Sequence, residues 1–376
     1  MKMKNILRKA ISLTLVLIFA FSLTVFAFAD GSVFDDGAYA SILTGSDFQT
    51  NTAKAYRLFG SILGLMKSDG LETPHSMLVG GDYTVLLYDY ASPGMTAIRD
   101  TLCAVYPDMD PENIVFMQGN HDNTVGGFTR TGFYDMGKYC LYSVNENDFP
   151  SKQYQKPGSE SKIQALAADI EEKLGGMIES GDRRPVFVIT HVPLHHTDRV
   201  SGGDNIYASY IFDVLNKAGE TLDVTFIFGH NHSGDYDDYI GGAVNFMAPG
   251  DTLLVPTTTR GEYTEQTLSF TYTNYGYLGY SRNSVTDSST DTLTLGVIRL
   301  CDDEIRYIKY SEDGLYSVQT VERKNPELHN DGIASVGGTE MIEKALWSLE
   351  YRLFSHLLDI FNKLVYILHL PLSIGI

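Results

Sequence analysis

Phe116-Met117-Gln118-Gly119-Asn120-His121-Asp122 is the stretch from which both the fold and the chemistry of this chain are read. It closes an apolar run, Asn113 to Met117, of the length and composition of a short buried strand. Gly119 breaks the strand and lets the backbone turn. An amide, an imidazole and a carboxylate follow at once. An Asn oxygen can ligate a metal, the next His can exchange a proton, and the Asp can hold that His in one tautomer. Polar groups gathered at the C-terminal end of a strand are the usual chemical address of an α/β fold.

Working outward, the same strand-then-polar pattern recurs along the chain. Ala38 to Thr44 is apolar and runs into Gly45-Ser46-Asp47-Phe48-Gln49, and Met77-Leu78-Val79 runs into Gly80-Gly81-Asp82. Pro185 to Thr190 is followed directly by His191, and Val224 to Phe228 by Gly229-His230-Asn231-His232. Helical spacing covers Thr52–Lys67, Thr96–Val105, Lys162–Ile178 and Tyr207–Ala218 between these strands. The alternation predicts an α/β domain with helices on both sides of its sheets. Beyond His232 the chain turns β-like over Val244–Val255 and Thr257–Tyr280, and a hairpin is expected from Leu293–Leu300 and Glu304–Tyr310 around Asp302-Asp303. Lys138 to Val144 reads as a strand or hairpin arm.

If these strands are neighbours, five strand ends bring Asp47 with Gln49, Asp82, Asn120-His121-Asp122, His191, and His230 with His232 to one edge. Carboxylate, amide oxygen and imidazole together suit Mn, Fe or Zn better than Mg or Ca. No Cys takes part, which argues against a structural zinc site. The three cysteines, Cys103, Cys140 and Cys301, fit no zinc spacing and read as buried, unpaired thiols. His195 and His196 read as surface loop residues, with contact to a substrate phosphate as the alternative.

The 376 residues are 43% hydrophobic and 20% charged, enough for one large core with additions. A formal net charge of -19 excludes nucleic acid as a bulk partner. Residues 1–29 are read as a secretory signal: Lys2, Lys4, Arg8 and Lys9 form a basic start, Ile11 to Phe28 an apolar core, and Ala27-Phe28-Ala29 a small-x-small cleavage site. The expected location is therefore secreted or at the extracellular cell surface. Residues 30–312 are assigned to one main domain and 313–339 to a polar linker. Residues 340–376 carry an amphipathic helix, with Leu346, Leu353, Ile360 and Ile367 recurring every seven residues. Glu350, Arg352, Asp359 and Lys363 make it too charged to span a membrane. The stretch 342–370 suits docking on the main domain, self-association or a membrane surface.

The ordered set Asp47-x-Gln49, Gly81-Asp82, Gly119-Asn120-His121-Asp122, His191 and Gly229-His230-Asn231-His232 resembles the calcineurin-like metallophosphoesterase superfamily, in an exported bacterial-type form. The resemblance spans about residues 38–232 and departs from the family at one place, where Gln49 stands for a histidine. It implies an αββα sandwich of two mixed β-sheets flanked by helices. It also implies a hydrolase, phosphodiesterase or phosphatase, that acts on a small phosphoester with two divalent or trivalent metal ions (Mn, Fe or Zn) and a metal-bound hydroxide nucleophile. By the same resemblance Asp47 and His232 hold one metal, Asp82 bridges, and Asn120, His191 and His230 hold the second; Gln49, where the family has histidine, can add its side-chain oxygen to the first. His121 protonates the leaving-group oxygen or stabilises charge on the phosphoryl oxygens, oriented by Asp122. The alternative is a metal-binding surface module with little catalysis, attached or oligomerised through the terminal helix.

Overall fold

The computed structural model describes residues 32–48, 52–83, 92–122, 127–150, 158–195, 206–237, 239–240, 243–259, 261–279 and 292–326. The signal segment, Gln49, His196 and the terminal helix lie outside the described residues.

Three parallel strands begin the fold: β1 (Ala40–Gly45), β2 (Ser76–Val79) and β3 (Ile114–Phe116), with β1 paired to β2 and β2 to β3. Every residue of the three is buried, which is why each reads as a continuous apolar run rather than an alternating one. Between them run helices α1 (Thr52–Ser68) and α2 (Ser92–Val105). A second parallel set comprises β5 (Cys140–Val144), β6 (Val186–Thr190) and β7 (Val224–Phe228), connected by α3 (Ser159–Ser180) and α4 (Ala208–Gly219).

Antiparallel strands complete both sheets. The first has the order β16-β15-β14-β1-β2-β3, with β14 (Leu295–Leu300), β15 (Glu304–Ser311) and β16 (Gly314–Glu322). The second has the order β10-β13-β7-β6-β5-β4, with β4 (Gly132–Asp135), β10 (Phe246–Met247) and β13 (Thr271–Asn274). Two ribbons sit outside them, β8 (Tyr239–Ile240) with β9 (Ala243–Val244) and β11 (Thr252–Pro256) with β12 (Tyr263–Thr267).

The period of two along each strand divides the core into three layers. Leu43, Met77, Val79 and Phe116 face α1 and α2, meeting Phe59, Ile62, Ile98 and Leu102. Their neighbours Ile42, Leu78 and Val115 face the other way, onto Leu141, Phe187, Ile189 and Ile227 of the second sheet. That sheet turns Tyr142, Val188, Phe226 and Phe228 to Ile163, Ile170, Phe212 and Leu215 of α3 and α4. The architecture is the expected αββα sandwich. The three cysteines are free thiols, Cys140 and Cys301 buried and Cys103 half-buried.

The assignment of 313–339 to a linker is corrected at its start. Gly314–Glu322 is strand β16, paired antiparallel with β15 from Ser311↔Gly314 to Glu304↔Glu322. On this edge strand Leu315, Tyr316 and Val318 are exposed while Ser317 and Gln319 are half-buried. The pattern inverts apolar-in, polar-out, so the segment reads as irregular. The chain after it is also anchored: Asp223 accepts from Arg323 Nε at 3.3 Å and from Lys324 N at 2.7 Å.

Phe187 is fully buried between the sheets and meets Tyr139 edge-on at 5.1 Å. Phe187→Ala is expected to lower the stability of the sandwich by about 3–5 kcal/mol, measured by urea denaturation.

Candidate active site

The strand ends that carry the polar motifs come from both sheets and meet at one end of the sandwich. Asp47 follows β1, Asp82 follows β2 and Asn120 follows β3; His191 follows β6, and His230 and His232 follow β7. Backbone bonds stitch the ends together. Asp47 N donates to Gly81 O at 3.0 Å, His230 N to Asp47 Oδ2 at 3.0 Å and Gly229 N to His191 O at 3.0 Å. Gly119 makes the approach of the β2 and β3 loops feasible, because a Cβ there would lie 2.2 Å from Asp82 Oδ1.

Among the described residues, the non-glycine residues at positive φ are Asp47 (57°), Asp82 (59°), His230 (68°) and His232 (53°). All four belong to the motif. Backbone of this kind is disfavoured for residues with a Cβ and collects at functional sites.

His191 Nδ1 lies 2.8 Å from Gly80 O. A carbonyl oxygen only accepts, so Nδ1 carries the proton, and in the neutral ring Nε2 presents a lone pair. That Nε2 lies 2.8 Å from Asn120 Oδ1, 3.3 Å from His230 Nδ1 and 3.5 Å from Asp82 Oδ2. Asn120 Oδ1 lies in turn 2.9 Å from His230 Nδ1. Beside this set, Asp47, Asp82 and His232 place ligand atoms within 4.8 Å of one another, with His232 Nε2 at 3.2 Å from Asp47 Oδ1.

The donor set fits cations. Two oxygen anions, an amide oxygen and ring nitrogens crowd together in a buried place, and like-charged or lone-pair groups at such distances need positive charge between them. The titration behaviour expresses the same demand. Burial alone would pull His191 down, but the charge of Asp82, its hydrogen bond and Asp47 outweigh this and raise its pKa to about 10. Burial pushes Asp82 upward and His191 more than offsets it, leaving Asp82 below its ordinary value. Asp47 falls well below the carboxylate range, its burial opposed chiefly by the hydrogen bond and charge of His232.

Asp122 does not orient His121. Its Oδ2 accepts from Asp82 N and Gly119 N, both at 2.8 Å, and its Oδ1 from Tyr83 N at 2.9 Å. It is a clip that ties the β2 loop to the β3 loop. His121 is placed instead by its own backbone N–H, which donates to Asp82 Oδ1 at 2.9 Å. The adjacency of His121 and Asp122 in sequence suggested a pair, whereas the turn sends their side chains to different partners. Burial, with the Asp82 charge behind it, pushes Asp122 up to about 7 against the three N–H donors.

Asp47, Asp82, His191 and His230 are buried, whereas Asn120, His121 and His232 are half-buried and form the open side. His195 is buried rather than on the surface, with Nδ1 at 2.7 Å from Tyr272 Oη. Two groups escaped the sequence reading. Glu146, buried just past β5, adds negative charge that helps raise His191. Its neighbours hold the central motif: Asn145 Oδ1 accepts from Gln118 N at 3.2 Å, and Asn147 Nδ2 donates to Gln118 Oε1 at 2.9 Å. Asn145-Glu146-Asn147 follows an apolar strand, so the pattern applied at the other five ends would have found it. Tyr277 stacks on His232 at 5.2 Å and 8° between planes, and nothing in its local sequence marks it out.

The clip has a measurable signature. Asp122→Asn sets an NH2 group against backbone donors and is expected to cost about 1–3 kcal/mol in chemical denaturation, with weaker metal binding. A residue that merely orients His121 would lose turnover at unchanged stability.

No match to the chain was found among curated proteins. Among solved structures, it is similar to a dimetal phosphatase from Danio rerio, at 10% identity and a TM-score of 0.44, over 76% of this chain and 99% of that one. It is similar also to GAP50, the anchor in the inner membrane complex of Plasmodium, at 10% identity and a TM-score of 0.44, over 77% of this chain and 90% of that one. The sequence profile of the calcineurin-like phosphoesterases matches residues 41–234, more than half of the chain and the whole run of strand ends from Asp47 to His232. With that match, the protein belongs to the calcineurin-like phosphoesterase family.

Proposed function

We propose that this phosphoesterase is an exported enzyme that hydrolyses a small phosphodiester or phosphomonoester at a dinuclear metal centre built on these strand ends. The observation that carries the reading is the meeting of Asn120 Oδ1, His191 Nε2 and His230 Nδ1 within 2.8–3.3 Å of one another, beside the carboxylates of Asp82 and Asp47. Asn120, His191 and His230 would hold one cation, Asp47 and His232 the other, with Asp82 between them. Gln49 is the remaining proposed ligand on the Asp47 side. Imidazole, amide and carboxylate donors together favour Mn, Fe or Zn. When bound, two such cations offset phosphate charge and acidify the attacking water.

The chain's own residues supply the rest. His191 is held in the tautomer that offers Nε2 by its bond to Gly80 O. The half-buried face of Asn120, His121 and His232 is where a phosphoester can enter. His121, fixed beside Asp82 through its backbone, holds a proton for the departing alkoxide oxygen. Asp122 keeps the two loops at the separation this needs. Export rests on the basic start, apolar core and Ala27-Phe28-Ala29 site of the first 29 residues. A membrane surface or a second copy is the proposed partner of residues 342–370.

The test is hydrolysis of bis-(p-nitrophenyl) phosphate and p-nitrophenyl phosphate by metal-stripped protein resupplied separately with Mn, Fe and Zn, with bound metal measured on the same samples. Turnover is expected with two metals per chain, and His121→Ala is expected to lose about 10²–10⁴-fold in kcat while keeping both metals. Two bound metals with unimpaired turnover in His121→Ala would remove His121 from the mechanism.

A further inference from the structure

The turn after β7 carries His230 and His232 in left-handed backbone, so something must hold it there. One residue that grips this turn is Asn245, which lies between β9 and β10 and is 1% exposed. Its backbone N–H donates to Tyr236 O at 3.0 Å. Its side-chain Nδ2 donates to Ser233 Oγ at 2.8 Å and to Asp235 O at 2.6 Å. Its Oδ1 accepts from Asn231 Nδ2, and its carbonyl accepts from Asn274 N at 3.1 Å. One buried residue thus spends its polar groups on the 231–236 turn and on the end of β13. An amide suits the position because it offers two donors on one side and an acceptor on the other.

Neighbouring groups complete the cradle. Asn274 Nδ2 donates to Ser233 O at 2.6 Å, and Thr294 Oγ1 donates to Gly234 O at 2.8 Å. Lys309 Nζ, fully buried, donates to Asn274 O at 3.0 Å. The Tyr277 ring lies flat against the imidazole of His232.

We propose that Asn245 is a positioning residue for the metal site on the His232 side: by clamping the turn from Asn231 to Asp235 it holds the His232 imidazole against Asp47 and sets the affinity of that site. The inference rests on the dinuclear reading of the centre. Groups that orient metal ligands typically change affinity by about 10–100-fold when removed. Asn245 touches neither Asn120 nor His191, and on the turn its Nδ2 grips Ser233 and Asp235 beyond His232 while only Asn231 adjoins His230, so the larger effect falls on the His232 side.

The experiment is calorimetric titration of Mn into the metal-stripped full chain, wild type against Asn245→Ala and Asn245→Asp. The aspartate keeps the shape and the acceptor but loses both side-chain donors. Asn216→Ala serves as the control, since Asn216 Oδ1 accepts from Ser269 N at the opposite end of the sandwich and its loss affects folding alone. Wild type is expected to bind two Mn. Both Asn245 variants are expected to bind one at close to wild-type affinity and the other about 10–100-fold more weakly, while Asn216→Ala lowers the melting temperature and leaves both affinities unchanged. Unchanged Mn affinities in Asn245→Ala and Asn245→Asp, whatever their melting temperatures, overturn the inference and leave the dinuclear reading standing. If neither variant folds, Asn245 is a residue of the fold and the inference falls. A wild-type chain that binds no Mn removes the dinuclear reading and the inference together.

Discussion

The site depends on a few hydrogen bonds that run from one sheet to the other at the strand ends. His191 Nδ1–H on Gly80 O and His230 N–H on Asp47 Oδ2 each join a loop of one sheet to a loop of the other. They are buried and face groups that water cannot reach, so breaking either would strand a donor or acceptor at a cost of about 1–3 kcal/mol. The two sheets are therefore locked face to face where the ligand atoms must meet. The interlayer core of Ile42, Leu78, Phe187 and Ile227 sets the separation below them.

The ends also carry a cost. Four residues in left-handed backbone, about 1–3 kcal/mol each, and the buried carboxylates of Asp47 and Asp82 make the site costly to fold. Burial of the continuous apolar strands offsets that cost, which is one reason β1, β2, β3, β6 and β7 are buried on both faces. Strain held at the ends and stabilisation gathered in the middle is the division expected where local rules are broken for chemistry.

Much of this was legible in the sequence, because the signals are local. Short apolar runs that end in Gly and then a polar group, or in one case directly in His191, locate the strand ends, and Asp82, Asn120, His191, His230 and His232 follow from them. What was not legible depends on tertiary direction. Asp122 stands next to His121, yet its carboxylate goes to three backbone amides across the loop. Tyr277, past the end of β13, and Asn245, between β9 and β10, reach the His232 turn from connections that no spacing rule ties to it. Strand β16 was obscured because this edge strand exposes Tyr316 and Val318 and half-buries Ser317 and Gln319, which inverts the usual apolar-in alternation. Gln49, the one departure from the family pattern, lies outside the described residues.

The anchorage that follows β16 has a mechanical meaning. Arg323 and Lys324 engage Asp223, and Asn325 Nδ2 donates to Thr221 O at 2.7 Å, all at the start of β7 and so at the end of the sandwich away from the site. The segment leaves the first sheet and fastens onto the second. Tension applied through the chain beyond residue 326 is therefore taken up by this clasp, in shear across the base of both sheets. The loops that carry Asp82, Asn120 and His232 lie at the opposite end of the sandwich from the clasp.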